Sequence, residues 1–178
     1  NMQTEVQFAG FGGQGILLSA KLMAHAAMKQ GYFVAWVPSY GPEMRGGTAY
    51  CTVVIGDKRI GSPIIKNPAH LVAMNRPSLE KFCGDVKPGG VIFINSSLIP
   101  TRSDRDDITE LVVPANDMAI DAGSVKAANI VALSAFAAKT DIVDLDVLRD
   151  CIKEEFSHKA KIIPMNMDAF DKGVAAAD

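Results

Sequence analysis

Short apolar runs alternate with stretches of helical period along almost the whole chain. A run at residues 5–9 ends in glycines. After it, Ile16, Leu17, Ala20, Met23, Ala24, Ala27 and Met28 recur at i, i+3, i+4 and i+7 intervals, which puts them on one face of a helix that Gly31 stops. Residues 33–37 are apolar throughout, the pattern of a parallel strand covered on both faces. The chain is therefore expected to open strand, helix, strand. Further strands are predicted at 48–55, 70–74, 91–95 and 110–113, with a short helix at 77–82 and a charged loop at 102–107. The turn at Gly56, Asp57 and Lys58 leads into 59–61 and reads as a hairpin rather than another crossover. The last third is helical in period, with helices predicted at 125–139, 144–156 and 165–176. Neither a Pro/Ser-rich linker nor a low-complexity tract interrupts the pattern, so residues 1–178 are expected to form one α/β domain. Its expected architecture is an open, mostly parallel sheet with helices on both faces, a Rossmann-like start, one hairpin and a helical C-terminal third.

Composition narrows the function classes. The 178 residues are 48% hydrophobic and 21% charged, with a net charge of −2, so no diffuse basic field invites nucleic acid or anionic membrane. A chain of this length buries about 70% of the surface its unfolded form exposes and needs no disulfide or structural metal to fold. Cys51, Cys83 and Cys151 form no CxxC pair and have no histidine at ligand spacing, which disfavours a disulfide framework, a zinc site and an iron–sulfur cluster. The longest uncharged apolar stretch, 127–138, falls well short of the roughly 20 residues a bilayer requires. A cytoplasmic, soluble protein is expected. Asn1 ahead of Met2 has the look of an expression remnant and carries no argument.

Gly10, Gly12 and Gly15 stand at GxGxxG spacing between the first strand and the first helix. In that setting glycines permit a tight turn and close approach of backbone to a phosphate, while the helix N-terminus offers unbonded N–H groups and the positive end of its dipole. Gly12 and Gly13 are expected to need either φ > 0 or a close neighbour, so a branched side chain at either should damage the turn. An NAD enzyme would carry an acid near the end of the second strand; Val37, Pro38 and Ser39 stand there instead, which weakens a dinucleotide site. The alternative stays open that the glycines only shape a turn or a close subunit contact.

The segment SYGPEMRGG, 39–47, is a Gly/Pro-dense loop that carries charge. Loops beyond the carboxyl ends of adjacent parallel strands line one crevice, so this loop is expected to face the glycine turn. Arg45 would bring a donor fork suited to carboxylate or phosphate, Tyr40 a flat surface with a hydroxyl, and Glu43 an acceptor that orients Arg45. An ion pair of Glu43 with Arg45, solvated or interfacial, is the simpler alternative. Nothing pairs His25, His70 or Ser19 with a nucleophile. Asn129 and Ser134 lie in an alanine-rich stretch that is apolar nearly all round, so Asn129 is expected to be a buried polar group or to meet another chain.

The motifs GFGGQGILLSAKLMA at 10–24, SYGPEMRGGTA at 39–49 and IGSPII at 60–65 together resemble the gamma subunit of the 2-oxoacid:ferredoxin oxidoreductases, over essentially the whole chain. The resemblance implies a multisubunit complex that decarboxylates a 2-oxoacid on thiamine diphosphate and passes electrons through 4Fe–4S clusters to ferredoxin. The acyl group goes to coenzyme A. It implies that thiamine diphosphate, Mg and the clusters sit on partner subunits, with no cofactor bound by this chain alone and a coenzyme A contact on it. Met44, and Gly47 followed by Thr48, depart from the FGPERRGAP pattern of the pyruvate type and favour 2-oxoglutarate, then 2-oxoisovalerate, with indolepyruvate enzymes related. The residues expected to hold coenzyme A or the substrate anion are Gly10, Gly12, Gly13, Gln14, Gly15, Ser39, Tyr40, Gly41, Glu43, Arg45, Gly46 and Gly47. A purely structural subunit and an independent nucleotide-binding enzyme are the competing readings.

Overall fold

The computed structural model describes residues 2–39 and 48–178. Six strands form one sheet: β1 (Gln3–Phe11), β2 (Phe33–Ser39), β3 (Thr48–Gly56), β4 (His70–Ala73), β5 (Val91–Asn95) and β6 (Thr109–Val113), in the order β2-β3-β1-β4-β5-β6. β1, β4, β5 and β6 run parallel, whereas β3 is antiparallel to both of its neighbours. Six α-helices accompany them: α1 (Ile16–Lys29), α2 (Arg76–Phe82), α3 (Ala115–Ala122), α4 (Ala128–Thr140), α5 (Leu145–Glu155) and α6 (Ile163–Ala176).

The mostly parallel sheet and the strand, glycine turn and helix at its start agree with the sequence pattern. Two placements differ. β2 is not a covered parallel strand beside β1: β3 comes between them, and β2 becomes the sheet edge, with Phe33 46% and Trp36 43% exposed. An apolar run reports that side chains can pack, not which strand lies next to it. Residues 59–61 form no strand, and the antiparallel neighbours joined in sequence are β2 and β3. The helix α3 was not expected, because its eight residues ANDMAIDA bury only Ala115 and Ala119 and so show little periodicity.

The larger core lies between one sheet face and α1, α3, α4, α5 and α6, built on Phe8, Val53, Phe93, Ile130, Phe136 and Phe170. The smaller one lies on the opposite face under α2, around Leu71, Leu79, Ile92 and Ile94. α1 is sunk more deeply than a one-faced helix: Ser19, Leu22 and Ala26 are buried too, and Met28, expected on the apolar face, is 58% exposed. α4 is buried from Ala128 to Ala137 without a break. Its small residues admit α6, where Gly173 lies so close that a Cβ there would collide with the Ser134 Oγ and the Val131 carbonyl. The partner that the alanine-rich helix admits is thus a helix of the same chain.

Candidate functional site

The strand order reverses direction around β1. The chain leaves it toward β2 and β3 on one side and later builds β4, β5 and β6 on the other, and crevices in such sheets open at the carboxyl ends of the strands at that switch. The glycine turn sits there. Gly12, Gly13 and Gln14 form a short 3-10 turn, and Gly15, with φ +71°, is the N-cap of α1. No side chain caps α1, and its first N–H groups are left for an external acceptor. The turn is braced from inside: Phe11 N donates to Gln14 Oε1 at 2.6 Å, and Gln14 Nε2 donates to the Met74 carbonyl at 3.2 Å.

The glycines do different work. A Cβ on Gly10 would meet Met74 Cβ and Ile16 Cδ1, both at 2.8 Å, so Gly10 lets the first helix close onto the end of β4. Gly15 alone within the turn has positive φ. Gly12 and Gly13 have neither positive φ nor any atom within 4 Å of a Cβ, so the expected backbone need at these two positions is not met. Their lack of a side chain leaves open space above the turn.

That space belongs to a cavity of about 460 Å³ lined by Gly13, Gln14 and Gly15 on one side and by residues around α4, α5 and α6 on the other. Leu18, Val125, Phe156, Ile162 and Met165 give it an apolar wall, while Asn116, Asn129 and Asn166 bring three amides and Lys126 and Lys159 two ammonium groups. No acidic residue among the described residues lines it. Neither lysine has a carboxylate partner among the described residues. Positive charge, unbonded helix N–H groups and an apolar wall together suit an organic anion.

Asn129 is 5% exposed, and its Nδ2 donates to the Gly15 carbonyl at 3.4 Å, so within this chain its partner is the glycine turn itself. Asn166, 3% exposed, donates to the Ile162 carbonyl at 2.9 Å. One N–H of each amide is engaged, which leaves its oxygen and its second N–H for a ligand.

Of the residues expected from sequence, Gly13, Gln14, Gly15 and Asn129 line the cavity. Gly10 supports the turn from below, and Gly12 is part of it without lining the cavity. Ser39 ends β2 opposite Tyr50, which in turn lies opposite Ala9 of β1, so Ser39 is two strands, about 10 Å, from Ala9 and at the same end of the sheet as the glycine turn. Tyr40, Gly41, Glu43, Arg45, Gly46 and Gly47 lie outside the described residues. Lys126, Lys159, Asn116 and Asn166 were not anticipated. They come from four separate segments with no shared motif, and only the packing of the C-terminal helices over the glycine turn assembles them.

The cysteines lie apart, on β3, after α2 and on α5. Burial pushes the Cys51 thiol up to about 12 and raises those of Cys83 and Cys151, so none is poised as a thiolate. Among the described residues no group of three or more His, Cys, Asp or Glu could hold a metal ion, and no helix is long and apolar enough to cross a membrane.

The family model described as pyruvate ferredoxin/flavodoxin oxidoreductase matches residues 5–176. The ketoisovalerate oxidoreductase subunit VorA of Methanothermobacter marburgensis is 40% identical over 173 residues, which are 96% of this chain and 36% of VorA. The chain thus spans about a third of that relative's length. The 2-oxoglutarate synthase subunit KorC of Methanocaldococcus jannaschii is 32% identical over 179 residues, covering 99% of this chain and 95% of KorC. Among solved structures, the keto/oxoacid ferredoxin oxidoreductase gamma subunit of Geobacter sulfurreducens superposes with a TM-score of 0.86 at 30% identity, covering 98% of each chain.

Proposed function

Because the chain belongs to the pyruvate ferredoxin/flavodoxin oxidoreductase family, we propose that it works as the gamma-type subunit of a 2-oxoacid:ferredoxin oxidoreductase and supplies that complex with part of its coenzyme A site. One observation carries the reading: a 460 Å³ cavity with no acidic side chain among its described lining residues, bounded by the glycine turn at the uncapped start of α1 and by Lys126 and Lys159. Coenzyme A combines phosphate groups with a purine and a long uncharged arm. The lysines and the α1 N–H groups match the phosphates, and Phe156, Met165 and the Asn129 and Asn166 oxygens match a flat ring with an amino group.

Decarboxylation on thiamine diphosphate with Mg, and electron transfer through 4Fe–4S clusters to ferredoxin, are assigned to partner subunits. The task of this chain is to hold the acyl acceptor, orient it and shield it from water. Arg45 and Glu43 belong to the segment joining β2 and β3, whose flanking residues Ser39 and Thr48 stand at the same end of the sheet as the glycine turn. They are proposed as the second wall of the anion site. The 2-oxoacid is taken from the set named by the relatives, 2-oxoglutarate and 2-oxoisovalerate.

The test is reconstitution of the complex with and without this chain, followed by viologen reduction with each 2-oxoacid and a coenzyme A titration. Coenzyme A-dependent turnover that requires this chain, with an apparent Michaelis constant raised by Lys126→Ala, Lys159→Ala or Arg45→Ala, is the expected result. Loss of assembly with unchanged coenzyme A constants in whatever complex remains would instead make this a packing subunit.

A further inference from the structure

Asn95, fully buried at the end of β5, does not line the cavity of the glycine turn, yet the hydrogen bonds around it decide which atoms that cavity displays. Two backbone groups allow its amide one orientation. The Ala115 N–H can only donate and the Met74 carbonyl can only accept, so Asn95 Oδ1 faces Ala115 N at 3.0 Å and Nδ2 faces Met74 O at 3.1 Å. The same Nδ2 meets Asn116 at 3.0 Å, and because a donor must meet an acceptor, Asn116 turns its Oδ1 inward. Its amino group is left on the far side of the amide, and Asn116 lines the cleft. The Met74 carbonyl also holds Gln14, so one buried amide and one carbonyl tie the glycine turn of β1 to the start of α3.

We propose that Asn95 is a positioning residue of the anion site: through Asn116 it presents an N–H donor to a phosphate or other acceptor-bearing group of the ligand, and through the Met74 carbonyl it keeps the Gln14 turn in register with that donor. This rests on the reading of the cleft as a coenzyme A site.

The test is a double-mutant cycle in the assembled complex, read as the Michaelis constant for coenzyme A against kcat. Asn95→Asp keeps the size and the bond from Ala115 but sets an acceptor against the Met74 and Asn116 oxygens, so the Asn116 amide turns over. Asn95→Ser is too short to reach both groups. Asn116→Asp keeps the oxygen that Asn95 needs and removes the donor facing the cleft, and Asn116→Ala removes both. Each variant is expected to raise the Michaelis constant roughly tenfold, with a smaller effect on kcat. Asn95→Asp combined with Asn116→Ala is expected to be no worse than the worse single change, because both act on the same donor.

Effects that multiply in the cycle, or Asn116 variants that leave the constant unchanged, would overturn the proposal. So would failure of both Asn95 variants to give a folded complex, which would mark Asn95 as a structural tie only. If Lys126→Ala and Lys159→Ala also leave the constant unchanged, the cleft reading itself has failed. If they raise it and the Asn116 variants do not, the inference about Asn95 alone has failed.

Discussion

Asn129, inside α4, donates from Nδ2 to the carbonyl of Gly15 across 114 positions of sequence, and the same Nδ2 stands 2.5 Å from where a Cβ on Gly15 would be. The buried helix thus holds the glycine turn in place and crowds any side chain there. Gly15→Ala meets two costs, a left-handed backbone at φ +71° and the Asn129 amide. Together they are expected to remove about 2–4 kcal/mol of stability. Urea unfolding should show it, and adding Asn129→Ala should relieve the contact but not the backbone strain. A Gly15→Ala chain as stable as the parent would mean that the turn rearranges.

A second position sets sterics against helix propensity. In an isolated helix Gly173→Ala would gain about 1 kcal/mol. Here the new methyl would enter the Val131 carbonyl and the Ser134 hydroxyl, and the first of these is backbone that cannot rotate away. The outcome expected is a net loss of more than about 2 kcal/mol, since overpacking costs typically 1–3 kcal/mol and α4 is buried along ten residues. Thermal unfolding checks the sign, and a raised melting temperature would contradict the packing described.

His70 predicts a pH dependence. Val91 N donates to His70 Nδ1 at 2.9 Å, which requires the neutral ring there, and burial pulls the His70 pKa below 6.5, with the nearby Glu5 carboxylate opposing. The unfolded chain therefore takes up the proton first as pH falls. The stability that His70 contributes is complete above about 6.5 and is lost as pH drops through its lower folded value. Urea unfolding at a series of pH values below 7 should show this slope, and His70→Gln, which keeps an acceptor for Val91, should flatten it. An equally steep slope in the variant would assign it elsewhere.

Gly13 separates binding from folding. With open space around its Cβ position and no positive φ, Gly13→Val is expected to keep the stability of the fold to within about 1 kcal/mol. Because Gly13 lines the cleft, the same change should weaken coenzyme A binding in the complex. Lys126→Ala and Lys159→Ala should each cost about 1.5–3 kcal/mol of binding if the ammonium groups bond phosphate directly, and less at high salt. Isothermal titration at two ionic strengths measures both effects. Unchanged affinity in all three variants would remove the cleft as the site.

The sequence by itself determined the element types over most of the chain and the turn that starts the site. Alternating apolar runs and helical periods are local consequences of which side chains can be buried, and of the turn glycines Gly15 answers a local backbone requirement, its positive φ, whereas Gly10 answers a contact with Met74. Tertiary structure decided what periodicity does not encode. The insertion of β3 between β1 and β2 exposed a strand whose sequence is as apolar as a buried one, because neighbours in a sheet are chosen by topology rather than by the run itself. The packing of α4 against α6 through Gly173 brought Asn129, Lys126, Lys159 and Asn166 over the glycine turn. Those residues share no spacing in the chain, so nothing local marks them, and their roles exist only once the C-terminal helices have closed on the sheet.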